Sequence, residues 1–193
     1  MPDMDTHIPD AATEADAGAE PLPAEPLPIL VAPHPLLKSR ARPVTEADRA
    51  TIAALIPRMF AAMYRAPGIG LAAPQVGHLL RLLVIDLMPD DKPAPMVIIN
   101  PEILAASSEL CEREEGCLSL PGQYAQVVRP ARIKLRYLDR DYARREIEAE
   151  GLLGTCIQHE MDHLEGTIFV DHISSLKRNM IMRKLAKEQR LKK

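Results

Sequence analysis

Tryptophan is absent and aromatic residues make up only 3% of the 193-residue chain. A core must therefore be built from Leu, Ile, Val and Met. No run of eighteen apolar residues occurs, which argues against a membrane span. The N-terminus lacks the basic-then-apolar order of a secretory signal. Cysteine is sparse and odd in number, with Cys111, Cys117 and Cys156 alone. Three scattered thiols argue against a disulfide framework and point to a reducing, cytoplasmic location. Lys and Arg are missing from residues 1–25, which hold seven acids. Because the whole chain carries −3, the remainder carries +4. At the other end, residues 176–193 hold eight basic residues and one acid. That run is either a solvated helix face or a contact for RNA or a ribosome surface.

Across the whole chain 47% of residues are hydrophobic, which suits one domain over residues 28–193. The acidic, Pro- and Ala-rich extension at 1–27 has no apolar periodicity and reads as disordered. Pro33, Pro35 and Pro43 make residues 29–44 an irregular segment lying over the body. Thr45 reads as a helix cap, with Asp48 three residues on. Ile52, Leu55, Ile56, Met59, Phe60 and Met63 then recur at helical spacing. Pro57 falls inside this pattern, where it removes a backbone donor and predicts a kink or break. Residues 67–77 form a glycine-containing loop whose backbone can approach a ligand closely. It follows a helix and lacks a third glycine, so it is not a dinucleotide fingerprint.

Residues 79–87 and 96–100 read as strands. Residues 111–122 are mostly polar and receive no element. Residues 132–138 alternate strictly and predict a half-exposed antiparallel strand, with 145–150 returning as its hairpin partner. A helix over 152–164 ends at Gly166, and 167–170 reads as extended. A last helix from about Ser174 carries Leu176, Met180, Ile181 and Leu185. Hairpins with segregated helices define an α+β fold.

The chemistry concentrates at residues 159–163, which read H-E-x-x-H. His159 and His163 are four apart and share one helix face. Two imidazoles so placed can close on one metal, with Glu160 beside them to accept a water proton. A catalytic metal needs a third protein ligand. Cys156 shares the face, but residues 156 to 163 span about 10.5 Å of helix rise, too far for three donors to converge easily. It reads better as a small buried residue under the site. Cys117 follows Gly116 in a segment able to bend and stands ahead of Cys111.

Three segments together resemble the peptide deformylase family: GIGLAAPQ at 68–75, EGCLS at 115–119 and HEMDH at 159–163. The likeness covers roughly residues 29–185, and the basic C-terminal helix looks like the bacterial type I branch. The resemblance implies antiparallel sheets packed around the H-E-x-x-H helix. It implies Cys117, His159 and His163 as ligands of one divalent metal, ferrous iron foremost, with zinc and nickel as alternatives. Glu160 would be general base and acid, and Gln75 with the Leu118 N–H would bind the oxyanion. Ile69, Gly70 and Gly116 would hold the substrate backbone, and Glu115 would pair with Arg129. For the substrate side chain, the expected lining is Ile69, Leu152, Cys156 and the edge of His159. The implied reaction is removal of the formyl group from N-formylmethionyl nascent peptides, releasing formate. A single domain suits a monomer, and the basic helix leaves a ribosome contact open beside the solvated-face reading. Two rivals remain. A zinc endopeptidase gives no role to GIGLAAPQ or EGCLS. A docking protein with a structural metal would need a fourth ligand, and none is evident.

Overall fold

The computed structural model describes residues 24–191. The extension read as disordered lies outside these residues except for 24–27, where Leu27 packs on the core and the Glu25 carbonyl accepts from Arg58 Nε at 3.2 Å. The chain then forms helix α1 (Arg49–Arg65) and strands β1 (Gly70–Ala72), β2 (Leu82–Ile85), β3 (Met96–Ala106), β4 (Leu110–Cys117), β5 (Leu120–Pro130), β6 (Arg132–Leu138) and β7 (Arg144–Glu150). Helices α2 (Gly151–Leu164) and α3 (Ser175–Leu191) follow. All strand pairs are antiparallel. One sheet has the order β1-β2-β3-β6-β7, and β4 pairs with β5 in a second. This is the α+β arrangement expected.

The five-stranded sheet is covered on both faces, and its sequence says why. Leu82 and Val84 of β2, with Val97 and Ile99 of β3, pack toward α1. Leu83, Ile85 and Ile98, one position out of phase, pack with Ile157 and Leu164 of α2. Such strands read as unbroken apolar runs because side chains alternate between two buried faces. In β6, Ile133, Leu135 and Tyr137 are buried while Arg132 and Lys134 face solvent, as the alternation predicted.

At the start of α1, Thr45 N and Oγ1 donate to Asp48 Oδ2 at 2.8 and 2.9 Å. Arg42 forks onto the same carboxylate at 2.9 and 2.8 Å. Of the kink or break expected at Pro57, the break does not occur: α1 is one continuous 17-residue element through it. Pro57 is exposed, so the carbonyl it fails to serve can be solvated. Three further expectations change. Residues 111–122 belong to the β4–β5 hairpin, whose charged residues hide strand periodicity. Phe169–His172, partly read as extended, is a 3-10 turn. In α3 Leu185 is buried with Ile181 and Met182 packed on the same cluster, while Leu176 and Met180 are exposed.

Near one end of α1 the Tyr64 hydroxyl donates to Asp86 Oδ2 at 2.6 Å, and Asp86 Oδ1 accepts from Met88 N and Ala94 N. Burial pushes Asp86 up, but these hydrogen bonds outweigh it and leave the carboxyl below its ordinary value. Burial and the Asp86 contact push the Tyr64 hydroxyl up to about 12. Tyr64→Phe is expected to cost about 1–3 kcal/mol at pH 8 in urea unfolding, because a buried carboxylate loses a donor. The Tyr64 contribution is complete below about pH 10, its unfolded value, and is lost as pH rises through about 12. The gap between wild type and variant should therefore narrow above pH 10.

Candidate metal centre

Helix α2 lies between the large sheet and the β4–β5 hairpin, and the centre is built where the two meet. Cys117 ends β4, opposite Leu120 at the start of β5. The two-residue turn Leu118–Ser119 between them brings the thiol back over α2. Cys117 Sγ lies 3.3 Å from His163 Nε2. The potential ligand atoms of Cys117, His159 and His163 all lie within 4.8 Å of one another. One soft thiol and two imidazoles is a donor set suited to zinc or ferrous iron.

The surroundings favour a cation at this point. His159 Nδ1 faces Glu115 Oε2 at 2.8 Å, which directs that nitrogen to donate and leaves Nε2 as the free donor atom for a metal. Burial alone pushes His159 down, yet hydrogen bonds to Cys117 and Glu115 outweigh it and hold the imidazole well above its ordinary value. Burial and the charges of His159, Arg129 and Lys38 push His163 well below its ordinary value. At this centre two buried side-chain atoms, Glu160 Oε2 and His163 Nδ1, have no hydrogen-bond partner among the described residues. Burial pushes Glu160 up to about 7, with the His159 charge pulling the other way and Glu115 adding to the rise.

A cavity of about 480 Å³ opens beside the centre. It is lined by Ile69, Gly70, Gly116, Cys117, Leu118, Leu152, Cys156, His159 and Glu160, so all five predicted substrate residues border it. Gln75 and His163 lie behind the wall, each 1% exposed. Gln75 Oε1 accepts from Ala72 N at 2.8 Å, which turns Nε2 toward Ser119 Oγ at 3.2 Å and Cys117 Sγ at 3.6 Å. Cys156 Sγ contacts the Ile69 carbonyl at 3.8 Å rather than joining the cluster, and burial pushes its thiol up. Cys111 sits at the far end of β4, paired with Arg129 of β5.

Gly70 has a role the sequence did not announce. A Cβ there would lie 2.6 Å from Glu160 Oε1 and 2.8 Å from Cys156 Sγ, so glycine leaves room for the carboxylate. Over Gly116 the Tyr124 ring would come within 2.6 Å of a Cβ, and Tyr124 also lines the cavity. Asp162, Phe169 and Ser119 were likewise missed. Asp162 stood inside HEMDH, a position that gave notice of proximity but not of a partner. Phe169 stacks on His159 with ring centroids 6.3 Å apart.

Residues 26–179 match the family model described as polypeptide deformylase. The peptide deformylase of Mesorhizobium japonicum is 53% identical over 161 residues, covering 83% of this chain and 91% of that protein. That of Rhizorhabdus wittichii is 53% identical over 171 residues, covering 86% and 96%. Among solved structures, a peptide deformylase from Legionella pneumophila superposes with TM-score 0.81 at 48% identity, covering 86% of this chain and 97% of that one. One from Ehrlichia chaffeensis in complex with actinonin superposes with TM-score 0.79 at 37% identity, covering 86% and 99%. A match running through every segment that borders the cavity, with two relatives identical at more than half of the aligned positions, leads to one assignment: this chain belongs to the peptide deformylase family, metal-dependent hydrolases that remove the N-formyl group from nascent peptides.

Proposed function

We propose that Glu160 moves the protons of this deformylation, that Cys117, His159 and His163 hold the metal, and that Gln75 and the Leu118 N–H receive the oxyanion. The observation that carries this reading is the convergence of three ligand atoms within 4.8 Å beside the unpartnered Oε2 of Glu160. A divalent ion, when bound, supplies Lewis acidity and lowers the pKa of water toward neutrality. Glu160 takes a proton from the attacking water as its oxygen bonds to the formyl carbon. Gln75 Nε2 and the Leu118 N–H donate to the oxygen where negative charge develops. Glu160 then gives its proton to the amine nitrogen as the C–N bond breaks, and formate and a free amino terminus leave. Gly70 and Gly116 admit the substrate backbone, while Ile69, Leu152 and Cys156 offer an apolar wall for the Met side chain.

Ferrous iron is the proposed working metal, with zinc and nickel as poorer substitutes. The enzyme acts as a cytoplasmic monomer, and α3 gives it a basic face toward the ribosome. The test is formate release from a formyl-Met dipeptide by anaerobically prepared protein loaded with each metal. Fast release with iron that decays in air supports the reading, and no release with any metal would overturn it. Actinonin, bound in the Ehrlichia structure, is expected to compete with substrate. Gln75→Ala should lower kcat by about 10²–10³, as for loss of one oxyanion donor. An unchanged kcat would remove Gln75 from that role. Truncation before Leu176 should weaken ribosome binding in sedimentation. Undiminished binding would leave α3 a solvated helix.

A further inference from the structure

We infer that His172 is a positioning residue of the metal centre, acting on His159 through Asp162, Arg129 and Glu115. The inference rests on the proposed ligand set. No motif contains His172, and the reaction makes no use of it. It ends the 3-10 turn Phe169–His172 that links α2 to α3.

The links are all charge-assisted hydrogen bonds. His172 Nε2 lies 2.7 Å from Asp162 Oδ2. An aspartate oxygen only accepts, so Nε2 carries the proton and donates. The same oxygen accepts from Arg129 Nη1 at 2.9 Å. Arg129 also forks onto Glu115, with Nε to Oε1 and Nη2 to Oε2 at 2.9 Å. Glu115 Oε2 then faces His159 Nδ1 at 2.8 Å. The relay runs outward from buried His159, Glu115 and Arg129 to side chains of Asp162 and His172 that are 23% and 34% exposed.

Geometry makes the outer end matter. The guanidinium is planar and rigid, so its Asp162 arm and its Glu115 fork turn together. Asp162 fixes the first arm, and His172 holds Asp162 by a second donor on the same oxygen. The turn touches the ligand twice, because Phe169 stacks on the His159 ring at an interplanar angle of 22°. A carboxylate on the far nitrogen of a metal-bound imidazole sets its tautomer and raises its basicity. His172 therefore tunes metal affinity from outside the cavity.

The test uses the full chain loaded with Co²⁺. Affinity is read by chelator competition, and the site by its sulfur-to-cobalt absorption band. His172→Phe removes the donor and keeps a ring. It should weaken Co²⁺ binding about tenfold, the lower end for groups that brace a metal ligand, and shift the spectrum. His172→Gln returns a donor and should restore both. In a Glu115→Gln background, where the relay is already cut, His172→Phe should add no further loss. If His172→Phe does not fold, His172→Leu removes the same donor. Unchanged affinity and spectrum in the donor-free variant would overturn the proposal. So would a His172→Gln loss as large as that of His172→Phe, or full additivity with Glu115→Gln. A wild-type spectrum without the sulfur band, or undiminished binding in His159→Ala, would overturn the ligand set itself and this proposal with it.

Discussion

Glu160→Gln is expected to lower kcat by about 10²–10⁴, the usual worth of a positioned general acid–base, with metal content and KM close to wild type. The amide keeps the size of the carboxylate and fits the space that Gly70 leaves. It can still accept a hydrogen bond, but it cannot carry a proton from water to the leaving amine. Burial pushes the Glu160 carboxyl up to about 7, and a bound cation pulls in the opposite direction. A base held between these forces takes up and gives back a proton near neutral pH. Steady-state formate release from wild type and variant, both loaded with the same metal and checked for metal content, decides the point. A variant within threefold of wild type would falsify the assignment of Glu160.

Arg129→Met is expected to destabilise the fold by about 3–5 kcal/mol, the cost of leaving a buried charge without its partner. Arg129 and Glu115 side chains are 6% and 4% exposed. Burial pushes Glu115 up, but Arg129 and His159 outweigh it and hold the carboxyl at about 2. A carboxyl depressed on folding contributes stability that is complete above its unfolded value near 4.5 and is lost as pH falls through about 2. Without the guanidinium that contribution shrinks. The gap between wild type and Arg129→Met in urea unfolding should be widest at neutral pH and narrow toward pH 2. Adding Glu115→Gln to Arg129→Met should recover part of the loss, since no charge is then stranded. A single-variant loss below 1 kcal/mol would mean that water reaches this pair.

The two histidines of the centre were legible from local periodicity alone, whereas Cys117 and Gln75 came from their motifs. His159 and His163 share a face because helices repeat every 3.6 residues, and no tertiary knowledge was needed. The strands 132–138 and 145–150 were visible because one face of each is wet. The β4–β5 hairpin was not, because Glu112 and Glu114 point outward while Glu115, also charged, points in to meet Arg129. A buried ion pair erases the apolar–polar contrast that marks a strand. At Pro57 the local rule was right about the lost donor but silent on whether that turn faces water. Asp162 and His172 were out of reach because their partnership depends on how the chain turns after α2.

That turn also orders events in time. Synthesis runs from the N-terminus, so Cys117 emerges well before His159 and His163, and Phe169 and His172 last of all. The three clustered residues come from β4 and α2, but the ring that covers His159 and the far end of its support belong to 169–172. The centre is thus closed by a segment translated after all three clustered residues. A chain still short of residue 172 offers an incompletely braced thiol and imidazole pair. Metal should therefore be held most tightly only once that turn is in place.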